Sequence, residues 1–174
     1  MLKKASGIEY YESGSGQPIL FLHGVGSTYD SFQYQFGKIS GRLIAVNIPG
    51  YGKSDSLELY NFDTIYEALR TFIDALGLRN FSIVGHSMGG MLAIDYACRE
   101  IDNIDKLCLI GTTPYFGGRS KGFEEEFLRA RLQPIKSGMT MKELAKISSK
   151  KLTGPNVSSE VLLKIEKQIG SVKP

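Results

Sequence analysis

Short apolar runs alternate with longer amphipathic segments over the first two thirds of the chain. Ile19–Leu22 in QPILFLHG and Leu43–Ile48 in RLIAVNIPG are apolar at nearly every position, which is typical of strands buried on both faces. The segments between such runs carry apolar residues at helical spacing. This alternation predicts an α/β fold with a mostly parallel sheet and helices on both faces.

The clearest helix is NFDTIYEALRTFIDALGL, in which Phe62, Ile65, Leu69 and Phe72 recur at helical spacing. Gly77 stands where a C-terminal cap belongs. A second helix runs from Ser87 to about Arg99, and YDSFQYQFGKI predicts a short one. The predicted strands are Ile8–Glu12, Ile19–Leu22, Leu43–Ile48, Phe81–Val84 and Leu107–Ile110.

The pattern changes after Pro114. Residues 115–174 contain no convincing strand and predict amphipathic helices over about 121–136, 141–152 and 159–169. The stretch TMKE, from Thr140 to Glu143, fits a capping box. The chain is therefore predicted to have an α/β part, residues 1–114, and a helical layer over the sheet, residues 115–174.

The charge also changes near residue 114. The chain has a formal net charge of +3, which is too small to indicate nucleic-acid binding. Residues 1–114 hold 9 Lys/Arg and 12 Asp/Glu, a net charge of −3, whereas residues 115–174 hold 12 and 6, a net charge of +6. Two interpretations stay open: solvated helix faces, or attraction of an anionic substrate.

Cysteine usage and the N-terminus bear on the compartment. Cys98 and Cys108 match neither a disulfide framework nor a metal-ligand spacing, and two free thiols favour a reducing compartment. MLKKASGIEYY lacks the apolar run of a signal peptide. No apolar run approaches the ~20 residues that span a bilayer. The expectation is a soluble cytoplasmic protein without membrane or nucleic-acid partners.

The stretch SIVGHSMGGMLAIDY carries the strongest chemical signal. Gly85, Ser87 and Gly89 match the pattern G-x-S-x-G, and the match follows a buried strand and opens a helix. A serine on such a sharp turn projects its hydroxyl out of the sheet, and the glycines leave room for the turn. Ser87 is therefore predicted to be a nucleophile. The alternative is a glycine-rich turn in which Ser87 only caps the helix.

A second glycine-rich loop supports this interpretation. His23, Gly24, Val25 and Gly26 follow the strand Ile19–Leu22. Acyl transfer needs two N–H donors directed at the developing oxyanion. The backbone N–H groups of Val25 and Met88 are predicted to supply them, with His23 bracing the loop. VNIPGYGKSD adds a further glycine-containing loop after the next strand.

The segments LFLHGVGS, VNIPGYGKSD and IVGHSMGG, in this order, resemble the α/β-hydrolase superfamily over residues 6–114. Residues 115–174 resemble part of its helical cap, with a likeness to serine esterases and enol-lactonases. The resemblance implies an acyl-enzyme on Ser87, an ester or lactone substrate, and neither cofactor nor metal. It also implies supporting roles for Gly24, Gly26, Gly85, His86 and Gly89. Serine at the turn argues against the haloalkane dehalogenase and epoxide hydrolase branches.

The expected catalytic base is missing. The chain's two histidines are His23 and His86, and neither is placed like the base of the family, which follows the nucleophile and an acid. We therefore expect these residues to be the N-terminal part of a longer enzyme, with an incomplete core and cap and little activity alone. Three alternatives stay open: an acyltransferase, a carbon–carbon bond hydrolase, or a binding module that retains a relic turn.

Two further expectations concern apolar residues. The strand in KLCLIG should end the sheet, which favours pairing with a second copy or with a complementing C-terminal fragment. Met88, Met91 and Leu92 are expected to pack helix against sheet. Two roles are open for three phenylalanines of the cap: they line an apolar acyl site, or they pack within the cap. These residues are Phe116, Phe123 and Phe127.

Overall fold

A computed structural model describes residues 1–115 and 122–172. The chain divides into two compact units, residues 1–114 and residues 115–174. Phe116, one of the three phenylalanines for which an acyl site and packing within the cap are the alternatives, lies outside the described residues. Within the described ranges, none of the helices combines the length and the apolar character needed to cross a membrane.

One six-stranded sheet forms the first unit. Its strands are β1 (Leu2–Ala5), β2 (Ile8–Ser13), β3 (Pro18–Leu22), β4 (Arg42–Val46), β5 (Phe81–His86) and β6 (Ile104–Ile110). They lie in the order β1-β2-β4-β3-β5-β6. Strands β4, β3, β5 and β6 pair in parallel with their neighbours. Strand β2 pairs antiparallel with β4, and β1 pairs antiparallel with β2. The prediction of a mostly parallel α/β sheet is confirmed.

Two α-helices follow strands of this sheet: α1 (Phe62–Ala75) and α2 (Met88–Arg99). The Asn61 side chain accepts a hydrogen bond from Thr64 N–H, and the Thr64 hydroxyl accepts one from Asn61 N–H. This capping box explains why α1 begins at Phe62. Gly77 has a φ of +61°, the left-handed conformation that commonly follows a helix end.

The two faces of the sheet bury different side chains. Alternate residues of β3 and β4 enter two apolar clusters, because successive side chains of a strand point to opposite faces. Helices α1 and α2 cover one face, and a 3₁₀ helix, Tyr29–Phe32, covers the other. The first cluster includes Leu20, Leu22, Ile44, Val46, Phe72 and Tyr96, and the second contains Phe21, Phe32, Leu43 and Ala45.

Three local features differ from the sequence prediction. YDSFQYQFGKI forms only the 3₁₀ helix and turns, not an α-helix. The pattern does not predict β1, because its residues include two lysines and three of its four residues are exposed. Strand β6 begins at Ile104, ahead of the predicted Leu107, since Asp105 and Lys106 are polar residues that an exposed outer strand accommodates.

The second unit is helical where it is described. Its helices are α3 (Phe123–Lys136), α4 (Met141–Leu152) and α5 (Ser159–Gly170). Thr140 and Glu143 form the predicted capping box at the start of α4. Helices α4 and α5 pack together around buried Ala145 and Ile169. The Ser149 hydroxyl between them donates a hydrogen bond to Glu166 Oε1 at 3.2 Å.

Strand β6 forms a lateral edge of the sheet within the part of the chain that the structure describes. Its apolar residues Leu107, Leu109 and Ile110 are 40%, 43% and 46% exposed, and Cys108 is exposed as well. Neighbouring residues of a strand face opposite sides, so both faces of β6 are open. Apolar side chains beside unpaired backbone groups make such a strand a template for pairing with another chain.

We expect the 174-residue polypeptide to self-associate through β6. Leu109→Lys places a charge on this strand and should weaken self-association about tenfold, roughly 1.4 kcal/mol. Size-exclusion chromatography with light scattering over a concentration series measures the dissociation constant.

Ile101→Lys is the matched control, because Ile101 is 67% exposed and lies outside β6. This substitution should leave self-association unchanged. A monomer at every concentration, or equal effects of the two substitutions, would contradict the prediction.

Candidate active site

Ser87 occupies the turn between the end of β5 and the start of α2. Its backbone has a φ of +52° and a ψ of −118°. A non-glycine residue in such a conformation is strained by about 1–3 kcal/mol and persists only where its surroundings hold it. The Ser87 side chain is half-buried. This is the strand–turn–helix geometry that the G-x-S-x-G pattern requires.

Hydrogen bonds hold the peptide groups on both sides of Ser87. Its N–H donates to the Ile110 carbonyl oxygen at 3.0 Å. Its own carbonyl oxygen accepts from Gly90 N–H at 2.9 Å, from Met91 N–H at 3.2 Å and from the Thr112 hydroxyl at 2.7 Å. The end of β6 and the first turn of α2 therefore fix the strained backbone.

Three glycines of this turn have no space for a side chain. A Cβ on Gly85 would lie 2.5 Å from the Gly89 carbonyl oxygen, and one on Gly89 would overlap the Leu22 carbonyl group. A Cβ on Gly90 would lie 2.6 Å from Thr112 Cβ. Glycine at these positions lets α2 pack directly on the ends of β3 and β6.

The loop after β3 adjoins Ser87 through Gly24. A Cβ on Gly24 would lie 3.1 Å from Ser87 Cβ and 3.1 Å from His86 Nδ1. Ser27 N–H donates to the Gly24 carbonyl at 3.3 Å and closes a turn in which Gly26 has a φ of +73°. Val25 in this turn is 66% exposed. The structure thus brings the predicted oxyanion loop against the predicted nucleophile.

His23 is fully buried, and backbone groups occupy both of its ring nitrogens. Nε2 accepts from Ile48 N–H at 3.1 Å, so the ring proton resides on Nδ1 and is donated to the Gly24 carbonyl at 2.8 Å. The Tyr51 ring packs edge-on against the imidazole. Burial lowers the pKa of His23 to about 4, with the Gly24 hydrogen bond acting in the opposite direction. This neutral imidazole ties the predicted oxyanion loop to the loop after β4.

His86, the other histidine, is the last residue of β5 and has an exposed side chain. Its ring lies near Gly24 and within about 4 Å of the position a Cβ on Gly111 would take. It therefore stands at the end of the sheet that carries Ser87, and the described contacts pair neither ring nitrogen with the Ser87 hydroxyl.

The loop VNIPGYGKSD is held by a buried polar network. Asn47 Nδ2 donates to Glu9 Oε2 at 2.7 Å, and Lys53 N–H donates to the same oxygen at 2.9 Å. The Ser54 hydroxyl donates to the Asn47 carbonyl at 2.6 Å, while Asn47 Oδ1 accepts from Tyr29 N–H at 2.9 Å. These bonds satisfy the buried polar groups of the loop and fix it beside His23.

Phe123 and Phe127 both belong to α3. Their ring centroids lie 6.0 Å apart, and the Arg131 guanidinium lies 3.3 Å above the Phe127 ring. These contacts lie within one helix, and the acyl-binding role of the two phenylalanines stays a prediction beside the alternative of packing within the cap. Leu92 is buried in the core cluster between α2 and the sheet, and Met88 packs against that cluster.

Two residues of the site have no counterpart in the sequence prediction. The Gly90 N–H and the Thr112 hydroxyl both donate to the Ser87 carbonyl oxygen, and a Cβ on Gly90 would overlap Thr112. A signal for Thr112 exists in the sequence, because GTTP follows a strand next to the one that ends at Ser87. Carboxyl ends of neighbouring parallel strands meet at one edge of a sheet, so a hydroxyl there can reach the turn.

Residues 1–115 and 122–172 contain no candidate metal-binding site. No group of three or more His, Cys, Asp or Glu side chains is arranged there to hold an ion.

Comparison with known proteins assigns this geometry to a family. A family model described as "alpha/beta hydrolase fold" matches residues 17–144. The chain belongs to the α/β-hydrolase fold family. The sequence resemblance and the fold are thereby confirmed.

Individual relatives agree on this family and differ in chemistry. The AB hydrolase superfamily protein YisY of Bacillus subtilis is 40% identical over 102 residues, which are 56% of this chain and 38% of YisY. Epoxide hydrolase 3 of Xenopus tropicalis is 33% identical over 116 residues, 62% of this chain and 32% of that protein. An esterase from Exiguobacterium antarcticum superposes with a TM-score of 0.85 and 26% identity over 95% of this chain and 64% of the esterase. The chain thus spans about a third of these curated relatives.

The buried histidine of this α/β-hydrolase should make its stability depend on pH. The pKa of His23 is about 4 in the folded state and about 6.5 when unfolded. The unfolded state therefore binds more protons between these values, and stability is lost as the pH falls from 6.5 to 4. We expect a loss of about 3 kcal/mol from this group, measured by urea unfolding across that range.

His23→Gln removes the titrating ring and should flatten the dependence of unfolding free energy on pH by that amount. His86→Gln, which removes the exposed histidine, is the matched control. If the unfolding free energy of the wild type and of His23→Gln depended equally on pH, the folded state would not disfavour protonation of His23, and the prediction would be wrong.

Proposed function

We propose that this chain carries the nucleophile and oxyanion-binding part of a serine hydrolase that cleaves a carboxylic ester, a lactone or a related acyl compound. The observation that carries the proposal is the strained Ser87 backbone at the junction of β5 and α2. A strained serine between glycines that admit no Cβ favours a catalytic role over a simple helix cap.

The proposed reaction has two steps. Ser87 Oγ adds to the substrate carbonyl carbon while a base takes the hydroxyl proton. The bond to the leaving oxygen then breaks, and the departing alcohol takes that proton. Water hydrolyses the resulting acyl ester in the reverse manner and releases the acid. Val25 and Met88 N–H groups bind the oxyanion in both steps.

A hydroxyl nucleophile suits acyl chemistry better than the chemistry named for the epoxide hydrolase relative. Serine attack on an epoxide or a haloalkane would form an ether, which has no carbonyl for water to attack. The enzyme would stop after one turnover. An acyl-serine, in contrast, is an ester that water can cleave, so Ser87 favours acyl substrates.

The catalytic base and acid are proposed to come from outside these 174 residues. Both nitrogens of His23 are bonded to backbone groups, which argues against that residue as the base. The greater length of the relatives is consistent with further catalytic residues. Acyl transfer to an acceptor other than water, or cleavage of a carbon–carbon bond, would use the same nucleophile. A binding module with an unreactive Ser87 is the non-enzymatic alternative.

We also propose a role for residues 115–174, a cellular location and a partner for β6. Residues 115–174 are proposed to act as a lid, whose net charge of +6 would favour an anionic substrate. The free, exposed thiols of Cys98 and Cys108 support a reducing, cytoplasmic location. Open β6 supports pairing with a second copy or with a C-terminal segment.

In the complete protein, a fluorophosphonate probe should label Ser87, because an activated serine attacks phosphorus as it attacks a carbonyl. Intact-mass spectrometry should detect one adduct, and Ser87→Ala should abolish it. Ser82→Ala, on the same strand, is the control and should label normally. A folded protein that is not labelled, or labelling that survives Ser87→Ala, contradicts the proposal.

The 174-residue polypeptide by itself should hydrolyse p-nitrophenyl acetate far more slowly than an ordinary enzyme, whose turnover is on the order of 1–1000 per second. Without a base, only the oxyanion hole and binding contribute to the rate. Stopped-flow absorbance measures the turnover. A value in the ordinary range that is lost in His86→Gln would identify His86 as the base.

A further inference from the structure

Thr112 lies two residues after the end of β6 and contacts the turn that carries Ser87. Its hydroxyl lies 2.7 Å from the Ser87 carbonyl oxygen and must be the donor, because a carbonyl oxygen only accepts. The same oxygen accepts from the N–H groups of Gly90 and Met91. Thr112 is the one of these three donors that lies outside α2.

The peptide group that Thr112 contacts also contains Met88 N–H. The carbonyl of Ser87 and the N–H of Met88 belong to one planar trans peptide and point in opposite directions. Holding the carbonyl therefore fixes the direction of the N–H. A hydrogen bond to the carbonyl also polarises the group and makes its N–H a stronger donor.

Gly90 leaves the space in which the Thr112 side chain packs. A Cβ on Gly90 would lie 2.6 Å from Thr112 Cβ and Cγ2, so the missing side chain provides the space that Thr112 occupies. On the other side of Ser87, its N–H donates to Ile110 O at 3.0 Å. Ile110 at the end of β6 and Thr112 just beyond it thus hold the two peptide groups of Ser87.

We propose that Thr112 is a positioning residue of the oxyanion hole. Its hydroxyl orients and polarises the Ser87–Met88 peptide, so that Met88 N–H is directed at the charge that develops on the substrate carbonyl oxygen. This inference rests on the proposed function of Ser87 as the nucleophile.

The test compares Thr112→Val with Thr112→Ser in the complete protein. Valine keeps the branched shape and removes the hydroxyl, whereas serine keeps the hydroxyl. With p-nitrophenyl acetate, Thr112→Val should lower kcat about fivefold to tenfold and leave KM within about twofold, because the lost interaction acts in the transition state. A trifluoromethyl ketone, which forms an oxyanion on Ser87, should bind more weakly by a similar factor. Thr112→Ser should retain most of both.

Different outcomes test the positioning role of Thr112 and the nucleophile role of Ser87. Equal losses in Thr112→Val and Thr112→Ser, or a raised KM with unchanged kcat, would overturn the positioning role. Activity that survives Ser87→Ala would instead overturn the proposed function. Thermal unfolding reports whether Thr112→Val folds, and Thr112→Ala, which also lacks the hydroxyl but cannot overpack, repeats the test if it does not. Unchanged kcat in folded Thr112→Ala would likewise contradict the proposal.

Discussion

The strained backbone of Ser87 is the constraint on which the rest of the site depends. A residue with φ near +52° persists only where neighbouring groups hold it. Here its N–H donates to Ile110 of β6, and its carbonyl oxygen accepts from two N–H groups of α2 and from the Thr112 hydroxyl. The glycines at 85, 89 and 90 leave the space that the turn around this residue needs.

Parallel pairing of β3, β5 and β6 brings three loops to one end of the sheet. The loop after β3 supplies Gly24 and Val25, the turn after β5 supplies Ser87, and the segment after β6 supplies Thr112. The buried imidazole of His23 joins the first loop to the loop after β4 through Ile48. The fold thus places Ser87, the proposed nucleophile, among these loops, with glycine at the close approaches and the Thr112 hydroxyl on its carbonyl oxygen.

Much of this arrangement could be predicted from sequence, and the reasons are local. Apolar runs marked β3, β4 and β5, and helical spacing with a cap marked α1. The glycines at 85 and 89 marked a turn with no space for a Cβ. Prediction missed β1, whose residues include two exposed lysines, and the start of β6, where the polar residues Asp105 and Lys106 precede the apolar run. It missed the role of Thr112 because that contact depends on pairing between strands that are distant in the sequence. A threonine after a strand acquires meaning only when the neighbouring strand leads into Ser87, the proposed nucleophile.

The most direct test of the account is a crystal structure of the complete protein after reaction with an alkyl phosphonate. The account predicts a covalent bond from Ser87 Oγ to phosphorus. It also predicts a phosphoryl oxygen within about 2.7–3.1 Å of the backbone nitrogens of Val25 and Met88. An adduct on another residue, or a phosphoryl oxygen directed into solvent away from both N–H groups, would contradict it.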